Sequence, residues 1–244
     1  MALNFLLGFS GRAFGLLVML AVLLTPTFAS AASYTAQQLQ ILNQPVPGGV
    51  AVVDVSGPNI SANISSPSVR YLKKPVLVTQ TDTGKWVALV GIPLSATLGP
   101  QRLEVLHNGE KSTLQFSVRE KKYREQRIKL KSNKHVDLSP QDLARYEREK
   151  IIQDEAYQQF SAQSPSNLLL DRPVKGPLSS PFGLKRFFND QPRAPHSGLD
   201  FAVPTGTPVQ APAAGRVIVV GDYFFNGKTV FVDHGQGMIS MFCH

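Results

Sequence analysis

The sequence holds one cysteine, Cys243, and one tryptophan, Trp86, among 244 residues. A lone cysteine excludes an internal disulfide, so packed cores, with or without a metal, have to hold the fold. Acidic residues are scarce as well: 17 Asp and Glu stand against 25 Lys and Arg, a formal charge of +8. Such a balance suits an anionic partner such as nucleic acid, a membrane or a cell-wall polymer. Long apolar runs are also lacking. The run Ala13–Leu24 (AFGLLVMLAVLL) falls short of the roughly 20 residues that span a bilayer, so no stable transmembrane anchor is expected.

That run follows Arg12, the only charge in residues 1–31, and precedes Thr25-Pro26 and Ala29-Ser30-Ala31. A positive start, an apolar stretch of about 7–15 residues and small residues at alternate positions mark a secretory signal peptide. Residues 1–31 are therefore read as a signal peptide, with cleavage after Ala31 or Ala32. The mature chain is expected in the periplasm or cell envelope. Export turns the basic charge away from nucleic acid and toward an envelope polymer.

Residues 32–44 read as a poorly ordered arm or a small helix. From Pro45 the text becomes short β-branched runs broken by turn formers, with strands expected at 50–55, 76–79, 86–90 and 114–118. Asn108-Gly109, between the alternating runs 102–107 and 112–118, marks a hairpin. This spacing, without a helical period, predicts a small immunoglobulin-like β-sandwich over residues 45–131. Trp86 is expected in its core. Residues 119–134 carry eight Lys and Arg. The alternation over Arg127–Lys131 reads as a strand with one solvated face, and a polybasic contact to anionic polymer is the other reading.

Ser139-Pro140 opens the one convincing helix, expected to run to about Phe160. Ser139 can cap the free amides, Pro140 loses nothing at the first helical position, and Asp142 favours the positive helix end. Its mixed charged face suggests a connecting helix over 139–160. A polar linker over 161–172 then leads to a C-terminal domain over 173–244.

In Pro195-His196-Ser197-Gly198-Leu199-Asp200, proline and glycine argue for a loop running into a strand. Alternation of an extended chain then places His196 and Asp200 on one side. A converging imidazole and carboxylate make two of the three protein ligands that a catalytic zinc takes. Alone, such a pair is common by chance, and a salt-bridged Asp beside an unrelated His is the plain alternative.

The surrounding text separates the two. Ser180-Pro181-Phe182-Gly183 precedes the pair, and PTGTPVQAPAAGRV, Asp233-His234-Gly235-Gln236-Gly237 and Met241-Phe242-Cys243-His244 follow in order. Residues 174–244 thereby resemble the lysostaphin/LytM-type zinc metallopeptidase family. The preceding β domain resembles, more loosely, accessory domains of Gram-negative members. The resemblance implies Zn2+ as cofactor, His196 and Asp200 as metal ligands, and His244 as the catalytic histidine beside the metal-bound water. Phe242 and Cys243 depart from the tyrosine and small residue commoner there. His234 matches a histidine of the family's turn and reads equally well as a polar turn residue. The third family ligand lies in a later H-x-H motif that residues 1–244 do not contain. The chain is therefore read as C-terminally truncated, its last domain incomplete and its activity lost as it stands.

The fold expected is mainly β: a small β-sandwich, a connecting helix and a β-sheet metallopeptidase domain. The function implied is zinc-dependent hydrolysis of peptide cross-links in peptidoglycan, more at D-alanyl–diaminopimelate than at glycyl–glycine bonds. An alternative is a non-catalytic module that binds or activates other wall hydrolases, with other envelope proteins as partners. A biotinyl or lipoyl carrier, suggested by Val209–Val217, lacks the modified-lysine tip. Control by the β domain and the charged helix covering the metal groove is a further expectation, with no plugging residue identified in residues 45–160.

Overall fold

The computed structural model describes residues 34–57, 65–129 and 138–243, and their architecture is mainly β. The expected signal peptide, the end of the basic run and His244 lie outside these residues. Among the described residues, no helix is long and apolar enough to cross a membrane.

A reciprocal capping box between Thr35 and Gln38 starts the short helix α1 (Ala36–Leu42). Seven strands follow: β1 (Val50–Asp54), β2 (Ser68–Tyr71), β3 (Lys74–Pro75), β4 (Leu77–Gln80), β5 (Trp86–Gly91), β6 (Gly99–His107) and β7 (Glu110–Val118). They form two antiparallel sheets, β1-β5-β4 and β3-β2-β6-β7. Period-two alternation drives the pairing: β6 buries Leu103 and Val105 while Arg102, Glu104 and Leu106 face outward. Val69, Ala88, Val90 and Val118 join them in one core, with Trp86 packed against it. This is the expected sandwich. Asn108 (φ 50°) and Gly109 (φ 83°) make the hairpin turn that sets His107 opposite Glu110.

The β2–β3 hairpin carries no such signal. Its turn places Leu72 at φ 49° and Lys73 at φ 65°, a conformation unfavourable for both side chains. The Arg70 guanidinium clamps it by donating to the Lys73 carbonyl at 2.6 and 3.2 Å.

Beyond the sandwich come β8 (Glu125–Ile128) and α2 (Pro140–Tyr157). Ser139 caps α2 by accepting from the Asp142 amide at 3.1 Å. The helix stops short of Phe160. The remaining strands are β9 (Leu178–Ser180), β10 (Lys185–Phe188), β11 (Gln191–Pro192), β12 (Asp200–Phe201), β13 (Arg216–Tyr223), β14 (Gly227–Asp233) and β15 (Ile239–Cys243). They make a β12-β9 pair, an antiparallel β13-β14-β15 sheet and a β11-β10-β8 sheet in which β8 runs parallel to β10. The strand read from the basic run is thus hydrogen-bonded to the segment that leads into His196.

Helix α2 covers one face of β13-β14-β15. Ala156 is buried with Tyr223 and Phe231, and the Tyr157 ring meets Phe231 edge-on at 5.1 Å. Glu149 accepts from the Phe224 amide at 2.7 Å and from Arg145 at 2.6 Å. The polar stretch after α2 lies against the sandwich: Tyr34 donates to the Pro165 carbonyl at 3.1 Å, and Leu168 is buried with Tyr34, Leu39, Leu77 and Val87.

Candidate metal centre

The turn Ser180-Pro181-Phe182-Gly183 is the platform of the site. Gly183 sits at φ 86°, and a Cβ there would lie 2.0 Å from the Tyr123 ring. Only glycine meets both demands. Phe182 packs edge-on against Tyr123 at 6.2 Å, and the Tyr123 hydroxyl donates to the Pro47 carbonyl at 2.7 Å. The chain at His196 is tied back onto this turn, His196 N donating to Leu184 O at 2.9 Å and Gly183 N to His196 O at 2.7 Å.

These bonds bury His196, whose Nδ1 lies 2.9 Å from the Pro181 carbonyl oxygen and 3.1 Å from Ser180 Oγ. A carbonyl can only accept, so Nδ1 carries the proton and Nε2 presents its lone pair. That lone pair faces Asp200 Oδ1 at 3.1 Å. Asp200 opens β12, opposite Ser180 of β9, and its carbonyl accepts from Ser179 Oγ at 3.1 Å. The segment 193–199 is loop with a bend at Gly198, and regular strand begins only at Asp200. The structure therefore brings the two expected ligands together from a loop and a two-residue strand.

Two acceptors at 3.1 Å repel unless the ring takes a second proton or a cation lies between them. The donor set suits zinc. Two zinc bonds of about 2.0–2.2 Å at a tetrahedral angle set their donors about 3.3–3.6 Å apart, a little wider than the pair stands here. Among the described residues, no group of three or more His, Cys, Asp or Glu side chains is placed to hold a metal ion.

His234 follows β14 and is fully buried. Its Nδ1 donates to the Ala214 carbonyl at 3.0 Å, which leaves Nε2 to accept from Ser240 Oγ at 2.8 Å. Both nitrogens are occupied, so His234 acts as a turn brace. The turn it opens docks outward: Gln236 Oε1 accepts from the Val78 amide at 2.9 Å, and Gln236 N donates to Ser161 O at 3.0 Å. His244 lies outside the described residues; β15, which ends one residue before it, pairs Val230 with Phe242 and Thr229 with Cys243.

Two participants escape sequence reasoning. The Pro181 carbonyl, which sets the His196 tautomer, leaves no trace in residue type. Arg186 on β10 places Nη2 3.8 Å from Asp200 Oδ2; nothing in KRFF distinguishes it from a solvated charge.

Residues 43–121 match the family model described as peptidase family M23 N-terminal domain. Residues 194–244 match the one described as peptidase family M23. A crystal structure of a peptidase M23 from Pseudomonas aeruginosa is 52% identical with a TM-score of 0.70, the match covering 86% of this chain and 77% of that one. Peptidoglycan DD-endopeptidase ShyA of Vibrio cholerae is 32% identical over 97 residues, which are 38% of this chain and 23% of ShyA. DD-carboxypeptidase/endopeptidase Mpg of Neisseria meningitidis is 34% identical over 67 residues, 28% of this chain and 16% of Mpg. The match therefore spans less than a quarter of the length of either curated relative.

Proposed function

The chain belongs to peptidase family M23, and from that premise we propose that it serves zinc-dependent hydrolysis of peptide cross-links in bacterial peptidoglycan. One observation carries the metal reading: the locked His196 tautomer aims a lone pair at the Asp200 carboxylate at 3.1 Å. The substrate reading draws on ShyA and Mpg, whose names specify DD-endopeptidase and DD-carboxypeptidase activities. Export and a basic surface fit an anionic wall polymer.

In this reading His196 and Asp200 supply two of the three protein ligands that a catalytic zinc takes. Zinc so held supplies a Lewis acid for the scissile carbonyl and a water of lowered pKa. Pro181 and Ser180 fix the His196 ring so that it cannot rotate away, the outer support that metal-bound imidazoles require. His244 is assigned the proton transfer to the leaving amine. The domain division proposed is a β accessory domain over 45–131, the connecting helix, and a metallopeptidase domain over 173–244.

The test is digestion of cross-linked sacculi, with zinc supplied, by the chain carrying the third-ligand H-x-H motif that the family resemblance implies. Release of uncross-linked muropeptides, abolished by 1,10-phenanthroline and by His196→Ala, is the result expected. Intact cross-links after prolonged digestion would sink the hydrolase reading.

A further inference from the structure

On one face of the β11-β10-β8 sheet, three buried side-chain atoms have no hydrogen-bond partner. Register places Gln126 of β8 beside Arg186 of β10. On the other side, Phe187 pairs with Pro192, which sets Arg193 opposite Arg186, with Arg193 N donating to Arg186 O at 2.8 Å. Alternation across a sheet puts laterally paired residues on the same face. Gln126 Oε1, Arg186 Nε and Arg193 Nε are all buried without a hydrogen-bond partner.

The opposite face shows what a satisfied arrangement looks like. There Arg127 donates to Glu125 at 3.0 Å and Asp190 at 3.3 Å and lies 4.2 Å from the Phe187 ring centre. On the face of interest, two arginines are laterally paired, an arrangement that like charges oppose, and Arg193 Nη2 donates to Gln191 Oε1 at 2.8 Å. Asp200 Oδ2 lies 3.8 Å from Arg186 Nη2, with its side chain half exposed. Asp200 is also the proposed metal ligand, so its charge is shared. The Arg186 guanidinium, its Nε unpartnered and its Nη2 beside a carboxylate whose charge is shared, keeps donor capacity for an anion from outside.

We propose that Arg186, backed by Arg193, binds a carboxylate of the substrate beside the metal centre. The inference rests on the hydrolase reading above and names its specificity. A carboxylate reachable from a group next to Asp200 is one carried on the carbon adjacent to the scissile nitrogen. A D-alanyl-D-alanine terminus has that carboxylate, and so does a cross-link whose leaving amine belongs to an amino-acid centre with a free acid. A glycyl–glycine bond inside a bridge has none. Arg186 thus selects leaving groups that keep a free α-carboxylate.

The experiment is equilibrium binding of diacetyl-L-lysyl-D-alanyl-D-alanine and of its C-terminal amide to the full chain, metal-free and zinc-supplied. The free acid is expected to bind about tenfold tighter than the amide, the ratio that a charge-assisted bond confers. That ratio should shrink as salt rises. Arg186→Gln should bring the acid to the affinity of the amide and leave the amide unchanged; Arg186→Lys should keep part of the preference. Circular dichroism melting of both variants separates lost recognition from lost folding, and Arg193→Gln supplies a second probe should Arg186→Gln unfold. Equal binding of acid and amide by the wild-type chain overturns the inference, as does no binding of either, or an undiminished preference in Arg186→Gln. A preference for the acid in a chain that carries the H-x-H motif yet cuts no sacculi would refute the hydrolase reading and leave the carboxylate site standing.

Discussion

Nε2 of His196 and Oδ1 of Asp200 stand 3.1 Å apart with the His196 Nδ1 proton committed to the Pro181 carbonyl. This turns a sequence pair that chance supplies freely into an oriented pair of donors. Everything that holds it, from the Ser180–Gly183 turn to the β9–β12 pairing, lies within reach of single substitutions.

Gly183→Ala should be costly. The new Cβ meets the Tyr123 ring at 2.0 Å and forces alanine into a left-handed backbone at φ 86°. A loss of about 2–4 kcal/mol is expected from strain and overpacking together, measured by urea denaturation. A loss within about 0.5 kcal/mol, the range of an ordinary surface substitution, would show that the turn does not brace the site.

His234 should behave as structure and not as a ligand. It is fully buried, with both ring nitrogens bonded. His234→Ala leaves the Ser240 hydroxyl and the Ala214 carbonyl without their partner and is expected to cost about 2–4 kcal/mol. Zinc affinity of the folded fraction should stay within about twofold of wild type, a negligible energy difference. A selective loss of zinc at unchanged stability would reassign it to the centre.

Acid should loosen α2 from the sheet. Burial raises the Glu149 pKa, but the Phe224 amide and the Arg145 guanidinium outweigh it, and the net shift is downward. A carboxylate depressed in the folded state contributes stability above its unfolded pKa, and that contribution is lost as pH falls through the folded value. Wild-type stability should therefore drop more steeply than that of Glu149→Gln as pH falls below about 4.5, the ordinary carboxylate range. Parallel pH curves for the two proteins, followed by thermal melting, would contradict this.

Much of the fold is legible because its signals are local. Ser139-Pro140 starts α2, Asn108-Gly109 turns a hairpin, and the alternation through Leu103 and Val105 marks a half-buried strand. The β2–β3 hairpin is not legible, because the Arg70 side chain, and not a turn-forming residue, stabilises Leu72 and Lys73. The pairing of β8 with β10 is hidden for another reason: it joins strands about sixty residues apart in parallel, and no local pattern encodes a partner. At the site, His196 and Asp200 are visible by type and spacing. The Pro181 carbonyl and the unsatisfied face of Arg186, Arg193 and Gln126 are products of packing that only coordinates reveal.

The most direct measurement is zinc titration of the purified chain against a chromophoric chelator, followed in parallel by the imidazole nitrogen shifts of His196. The account predicts that Nε2, not Nδ1, shifts on zinc addition, and that His196→Ala and Asp200→Ala each weaken zinc binding by about tenfold or more, as loss of a direct ligand should. Unchanged zinc binding in both variants, or a shift at Nδ1 alone, would contradict it.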